Sequence, residues 1–200
     1  MAEQQPETAP PERGLIEPAR AEPETLRLFF ALWPDEATRE ALDRVGEELH
    51  RNWRGRRTHA DTLHITLAFL GSTPAHQLSA LIACADALQT EAFDLVLDRV
   101  GYWRHNRIGW LGASRVPQQY FDLVRALNLA LGTAGFPVDV RSPVPHVTLL
   151  RNSAGGEASP SEPVHWRVRD FVLVKSRTDS ERAHYDVIRR WPLARSGAAR

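Results

Sequence analysis

The sequence predicts a mixed α+β fold, on three observations. Short apolar runs of strand-like composition recur along its 200 residues. Amphipathic segments with helical spacing lie between some of them. The strands follow one another too closely for a simple series of strand–helix–strand units.

Folding is expected to begin at "LRLFFALWP" (residues 26–34), a short apolar and aromatic strand stopped by Pro34. "DEATREALDRVGEELHRNW" follows as a helix, with Ala37, Leu42, Val45 and Leu49 on one face and acids in its first turn. "RGRRTHAD" reads as a basic loop and "LHITLAFLG" as a buried strand ended by Gly71. "HQLSALIACADALQ" is a second helix, with Cys84 a small apolar residue inside it. "FDLVLDRVGYW" and "RIGWLGAS" read as two strands joined around "RHN", a hairpin. "QQYFDLVRALNLALGTAG" is a third amphipathic helix with glycines near its end. "SPVPHVTLLRN" is a strand, "SAGGEASPSEP" a flexible loop, and "VHWRVRDFVLVKS" with "AHYDVIRRWPL" a closing pair of strands.

Residues 1–25 are rich in Pro, Glu and Ala, and Leu15 and Ile16 are their only large aliphatic residues. Such a segment cannot bury enough apolar surface to offset its ordering entropy, so it reads as a disordered acidic tail. Residues 26–195 read as one folded domain and 196–200 as a flexible end. The formal net charge is zero, but six glutamates and two arginines in the first 26 residues leave the remainder about +4. That charge permits a polyanionic partner without demanding one. With Cys84 alone, no internal disulfide or CxxC pair exists. No apolar run has the length of a membrane span, and the amino terminus lacks the pattern of a secretory signal, so a cytoplasmic protein is expected.

The chemistry sits in two strands. "LHITLAFLG" carries His64 and Thr66, and "PHVTLLR" carries His146 and Thr148. Side chains alternate across a strand, so each histidine shares a face with its threonine while Ile65 and Val147 point into apolar packing. Either histidine alone reads equally well as a hydrogen-bonded core residue; the repeated apolar–His–apolar–Thr–Leu pattern is what points to a site. Imidazole titrates near neutrality, so one ring can accept a proton while another donates one. In-line displacement at phosphorus needs those two acts on opposite sides of the atom. The threonine hydroxyls suit the non-bridging phosphate oxygens, and nothing in this arrangement requires a metal. None of the other six histidines forms a metal-ligand spacing; His50, His59, His76, His105, His165 and His184 read as helix, loop or strand-edge residues.

Paired His-x-Thr strands in a chain of this size resemble the 2H phosphoesterase superfamily, and within it the bacterial RNA 2',3'-cyclic phosphodiesterases, also called 2'-5' RNA ligase-like proteins. "RLFFAL", "FDLVLDRVGYW", "GWLG" and "HYDVIRRWPL" are similar to segments of that family too, so the resemblance spans most of residues 26–193. It implies a bilobal fold: two pseudo-symmetric lobes with antiparallel sheets around a central cleft and helices outside. It implies hydrolysis of RNA 2',3'-cyclic phosphate ends to 2'-phosphomonoesters without metal or cofactor, with His64 as general acid and His146 as general base. Thr66 and Thr148 would grip the phosphate, and a 5'-hydroxyl RNA end attacking in place of water would give a 2'-5' linkage, reversibly. RNA ends are then the expected partner of a monomeric enzyme. A non-catalytic RNA- or nucleotide-binding module on the same fold is the alternative.

Arg151, five residues after His146 as in the family, either sets a guanidinium beside the phosphate or ends its strand in solvent. Phe69 is an odd number of residues from Thr66, so a flat strand turns it into the core, whereas a bulge brings it to the cleft rim as a base-stacking surface. Arg54, Arg56 and Arg57 either steer an RNA backbone or are simply solvated. Tyr185 either lines the cleft or packs.

Overall fold

The structure, a computed structural model, describes residues 24–138, 144–178 and 183–195. The expected tail, apart from its last two residues, and residues 196–200 lie outside that description. In chain order the elements are β1 (Thr25–Leu32), α1 (Glu36–Trp53), β2 (Arg56–Arg57), β3 (Ile65–Pro74), α2 (Leu78–Asp86), β4 (Phe93–Leu97) and β5 (Arg99–Trp103). They continue with β6 (Ile108–Gly112), α3 (Gln118–Thr133), β7 (His146–Arg151), β8 (Val164–Val168), β9 (Asp170–Thr178) and β10 (Ala183–Pro192).

Eight strands form one antiparallel sheet in the order β10-β9-β1-β3-β7-β6-β5, with β2 beside β7. The two lobes of this sheet meet where β3 and β7 touch through one residue pair, Ile65 opposite Val147. These are the residues between the histidine and threonine of each motif, and both are fully buried. Because the strands run antiparallel, His64 of one lobe lies toward Thr148 of the other, and His146 toward Thr66. The helices cross over the seam: α1 packs behind β7, and α3 behind β3. Each motif strand is thus backed by a helix from the other half of the chain.

Local chemistry explains the elements. Asp35 caps α1 by accepting the Thr38 amide at 2.9 Å, and Leu42, Val45, Leu49 and Trp53 form its buried stripe. The stripe starts at Thr38, because Ala37 in the first turn is exposed. In β1, Leu26, Leu28, Phe30 and Leu32 enter the main core, while Phe29 and Ala31 join Val172 and Val174 in a small apolar cluster on the other face. The alternation is that of a strand buried on both faces.

Several expected boundaries shift. "FDLVLDRVGYW" is two strands divided at Asp98: β4 leaves the main sheet to pair with β8, and β5 stays to pair with β6. "VHWRVRDFVLVKS" is likewise two strands, β8 and β9, with different partners. β3 continues past Gly71, which takes φ +68°, to Pro74. The expected loop "RGRRTHAD" contains β2, and the expected flexible loop after β7 begins with Ser153, which is fully buried. The Ser153 and Ala154 segment hydrogen-bonds the Trp53 carbonyl through Ser153 Oγ (3.3 Å) and the Ala154 amide (2.9 Å).

That anchor is close-fitting at Gly55, where φ is +88° and a Cβ would sit 2.7 Å from the Arg151 carbonyl oxygen and 2.9 Å from Ser153 backbone atoms. Gly55→Ala is therefore expected to cost about 1–3 kcal/mol, lowering the thermal midpoint by roughly 3–10 °C. An unchanged midpoint in a thermal scan would show that β2 is not held in this way.

Candidate active site

The two motif strands open onto a cleft of about 1270 Å3. His64, Thr66, His146, Thr148 and Arg151 all line it. So do Phe69, Arg56, Arg57 and Tyr185; Arg54, at the end of α1, does not.

The two histidines are held in the same way. His64 Nδ1 lies 2.6 Å from the Thr62 carbonyl, and His146 Nδ1 lies 2.9 Å from the Val144 carbonyl, each two residues back along the chain. A carbonyl only accepts, so both Nδ1 atoms carry the proton and donate it. In the neutral rings the unprotonated nitrogen is then Nε2, the atom left for chemistry in the cleft. Their surroundings differ. His64 stacks on Trp33 (ring centroids 5.7 Å apart) and also meets Phe29 (5.0 Å) and the edge of Tyr185 (5.4 Å). His146 meets Trp103 edge to face at 4.5 Å.

These surroundings govern protonation. Burial lowers His64 to about pKa 4, the Thr62 carbonyl opposes the shift, and the positive charges of His146 and Arg151 add to it. Burial also lowers His146, against the pull of the Val144 carbonyl. Without an anion, both rings are therefore neutral at pH 7, and a phosphate between them shifts both back toward the imidazolium form.

Phe69 shows how backbone register overrides simple alternation. Ala31 pairs with Thr66 but Phe30 with Ala68, so Leu67 is an extra residue in β3. Leu67 and Ala68 are both buried in succession, which reverses the parity of the strand. Phe69 thus lies on the cleft side, 51% exposed, instead of in the core. Its ring carries the Arg27 guanidinium at 5.1 Å.

The arginines divide. Arg57 is ion-paired to Asp43 and donates to the Asp43 carbonyl at 3.2 Å. Arg56 stands directly across from Arg151 in the β2–β7 pairing. His59 and His184, which the spacing placed at loop and strand edges, also line the cleft. Among the described residues, no three His, Cys, Asp or Glu side chains gather into a metal-holding group, and no helix is long and apolar enough to cross a membrane.

Arg27, Phe29, Trp33 and Trp103 were not singled out in the sequence. Phe29 and Trp33 were findable, since they occupy the alternate positions to Leu28, Phe30 and Leu32 in "LRLFFALWP". Arg27 and Trp103 carry no such signal, because their places depend on the strand partners β3 and β6.

Comparison with known proteins gives a consistent family. Residues 32–110 match the family model described as LigT like phosphoesterase. The chain is 33% identical over 172 residues to the RNA 2',3'-cyclic phosphodiesterase of Escherichia coli strain K12, covering 85% of this chain and 98% of that protein. The crystal structure of E. coli LigT complexed with 3'-AMP aligns with a TM-score of 0.78 at 32% identity, over 85% of this chain and 99% of that one. An RNA 2',3'-cyclic phosphodiesterase of Thermus thermophilus is 29% identical over 185 residues, covering 84% of this chain and 90% of that protein.

Proposed function

The chain belongs to the LigT-like phosphoesterase family, and on that premise we propose that it hydrolyses 2',3'-cyclic phosphate ends of RNA to 2'-phosphomonoesters by acid–base catalysis from His64 and His146. The observation that carries the reading is the matched pair of imidazoles. Each is fixed through Nδ1 to a backbone carbonyl and faces one shared cleft from its own lobe.

The terminal phosphate lies between the rings. His146 Nε2 takes a proton from water as the water oxygen bonds to phosphorus, and His64 gives its Nε2 proton to the 3' oxygen as the P–O3' bond breaks. The phosphate remains on the 2' oxygen. Negative charge building on the non-bridging oxygens is met by the Thr66 and Thr148 hydroxyls and the Arg151 guanidinium. The rings start neutral, so His64 acquires its proton as the anionic substrate binds. A 5'-hydroxyl RNA end attacking in place of water takes the same path in the same direction, its oxygen bonding to phosphorus as P–O3' breaks, and gives a 2'-5' linkage. Phe69 and Tyr185 offer apolar faces at the cleft for the terminal base.

Imidazole acid–base chemistry of this kind needs no metal. Incubation with adenosine 2',3'-cyclic phosphate in excess chelator is expected to yield the 2'-monophosphate alone, identified by phosphorus NMR. Formation of the 3'-monophosphate would contradict the assignment of the leaving oxygen, and loss of turnover in chelator would contradict metal independence.

A further inference from the structure

β2 is two residues long and lies off the main path of the sheet. It shares one edge of β7 with β3. β3 meets that edge at Ile65–Val147, and β2 meets it at Arg57–Leu150 and Arg56–Arg151. The same edge therefore carries the two histidines at one end and two arginines face to face at the other. Along β7 the two pairings, at Val147 and Arg151, are separated by about 13 Å of extended backbone.

Like charges directly opposite on neighbouring strands repel. No carboxylate relieves the repulsion here: among the described residues the Arg56 and Arg151 side chains make no ion pair, whereas Arg57 beside them is tied to Asp43. The backbone pairing is fixed by the close fit at Gly55 and by the buried Ser153 staple, so the two arginines stay opposite each other at the backbone. Both line the cleft that holds the histidines. Two arginines fixed opposite each other on paired strands, without a counter-charge, favour an anion between or beside them.

The charge of Arg151 already acts on His64, which gives Arg151 to the reacting phosphate. Arg56, across the strand pair, is left for a second anion. On a strand ending in a 2',3'-cyclic phosphate, the only phosphate next to the reacting one is attached to the 5' oxygen of the same nucleoside. Resting on the reading above, we infer that Arg56 forms a second phosphate subsite for the 5' phosphate of the terminal nucleotide. The enzyme then selects oligonucleotide ends and 5'-phosphorylated cyclic nucleotides over those with a free 5' hydroxyl.

The test compares kcat/KM for adenosine 2',3'-cyclic phosphate with and without a 5' phosphate. Wild type is expected to prefer the 5'-phosphorylated substrate by about tenfold. Arg56→Ala and Arg56→Gln are expected to bring the ratio close to one, and Arg56→Lys to keep part of it, since lysine retains the charge without the planar fork. The salt dependence of the preference should fall by about one phosphate contact in both neutral variants. A ratio of one in wild type, or a ratio preserved in both neutral variants, overturns the subsite. Failure of wild type to turn over either substrate overturns the acid–base reading instead, so the two failures are told apart.

Discussion

His146→Ala is expected to lower kcat on a 2',3'-cyclic nucleotide by roughly 10²–10⁴-fold, and His64→Ala to do the same, while binding of the 2'-phosphate product stays within a few-fold. This range is what positioned proton transfer supplies in the transition state. The loss falls on kcat because the proton moves only as the P–O bonds change, so ground-state binding is largely spared. Thr66, Thr148 and Arg151, the proposed phosphate contacts, line the cleft and are untouched in either variant. The double variant is expected to be little worse than each single one, since one missing proton transfer already stalls the displacement. Steady-state kinetics with product titration checks this. Turnover surviving in both single variants would remove the acid–base assignment, whereas binding without turnover in wild type would favour the non-catalytic binding module.

The second large effect is on stability in acid. His64 titrates near pKa 4 in the folded chain against an ordinary value of 6.5, so the unfolded chain takes up its proton first as pH falls. The stability tied to the neutral ring is complete above pH 6.5 and is lost as pH drops toward 4, by as much as about 3 kcal/mol. His146, lowered by the same cause, adds to the loss in the same direction. The carboxyls of Asp35 and Asp98, held below their usual 3.8 by hydrogen bonds from Thr38 and Ser114, contribute only at still lower pH. Urea midpoints measured between pH 7 and 4.5 should fall steeply for wild type and less steeply for His64→Gln. Identical slopes in the two proteins would mean that the aromatic surroundings of His64 do not keep it neutral. A bound phosphate opposes the shift, so the kcat profile against pH should peak at higher pH than the kcat/KM profile.

Much of the site was legible because strand alternation is local. His64 with Thr66, and His146 with Thr148, follow from period two alone, and both pairs line one cleft. Alternation fails where the backbone inserts a residue. The extra Leu67 in β3 reverses the facing of Phe69, and no propensity of "TLAFL" announces a bulge at that point. The divided segments failed for a related reason. "FDLVLDRVGYW" and "VHWRVRDFVLVKS" are each continuous in composition, and only the choice of partner, β4 with β8 against β5 with β6, breaks them at Asp98 and at Arg169. Likewise the apposition of Arg56 and Arg151 joins residues far apart in sequence, and depends on Gly55 and Ser153 fitting together. The walls around His64 come from two strands, Phe29 and Trp33 from β1 and its end and Tyr185 from β10, and sequence spacing cannot bring β10 to β1.

The most direct measurement follows the imidazole nitrogens of His64 and His146 by nitrogen-15 NMR while adenosine 2'-monophosphate is added. Both Nε2 signals should move together along one binding curve, and both rings should gain imidazolium character at a pH where they are neutral without ligand. Response of only one ring, or of neither, would contradict the claim that two imidazoles from two lobes meet at one phosphate.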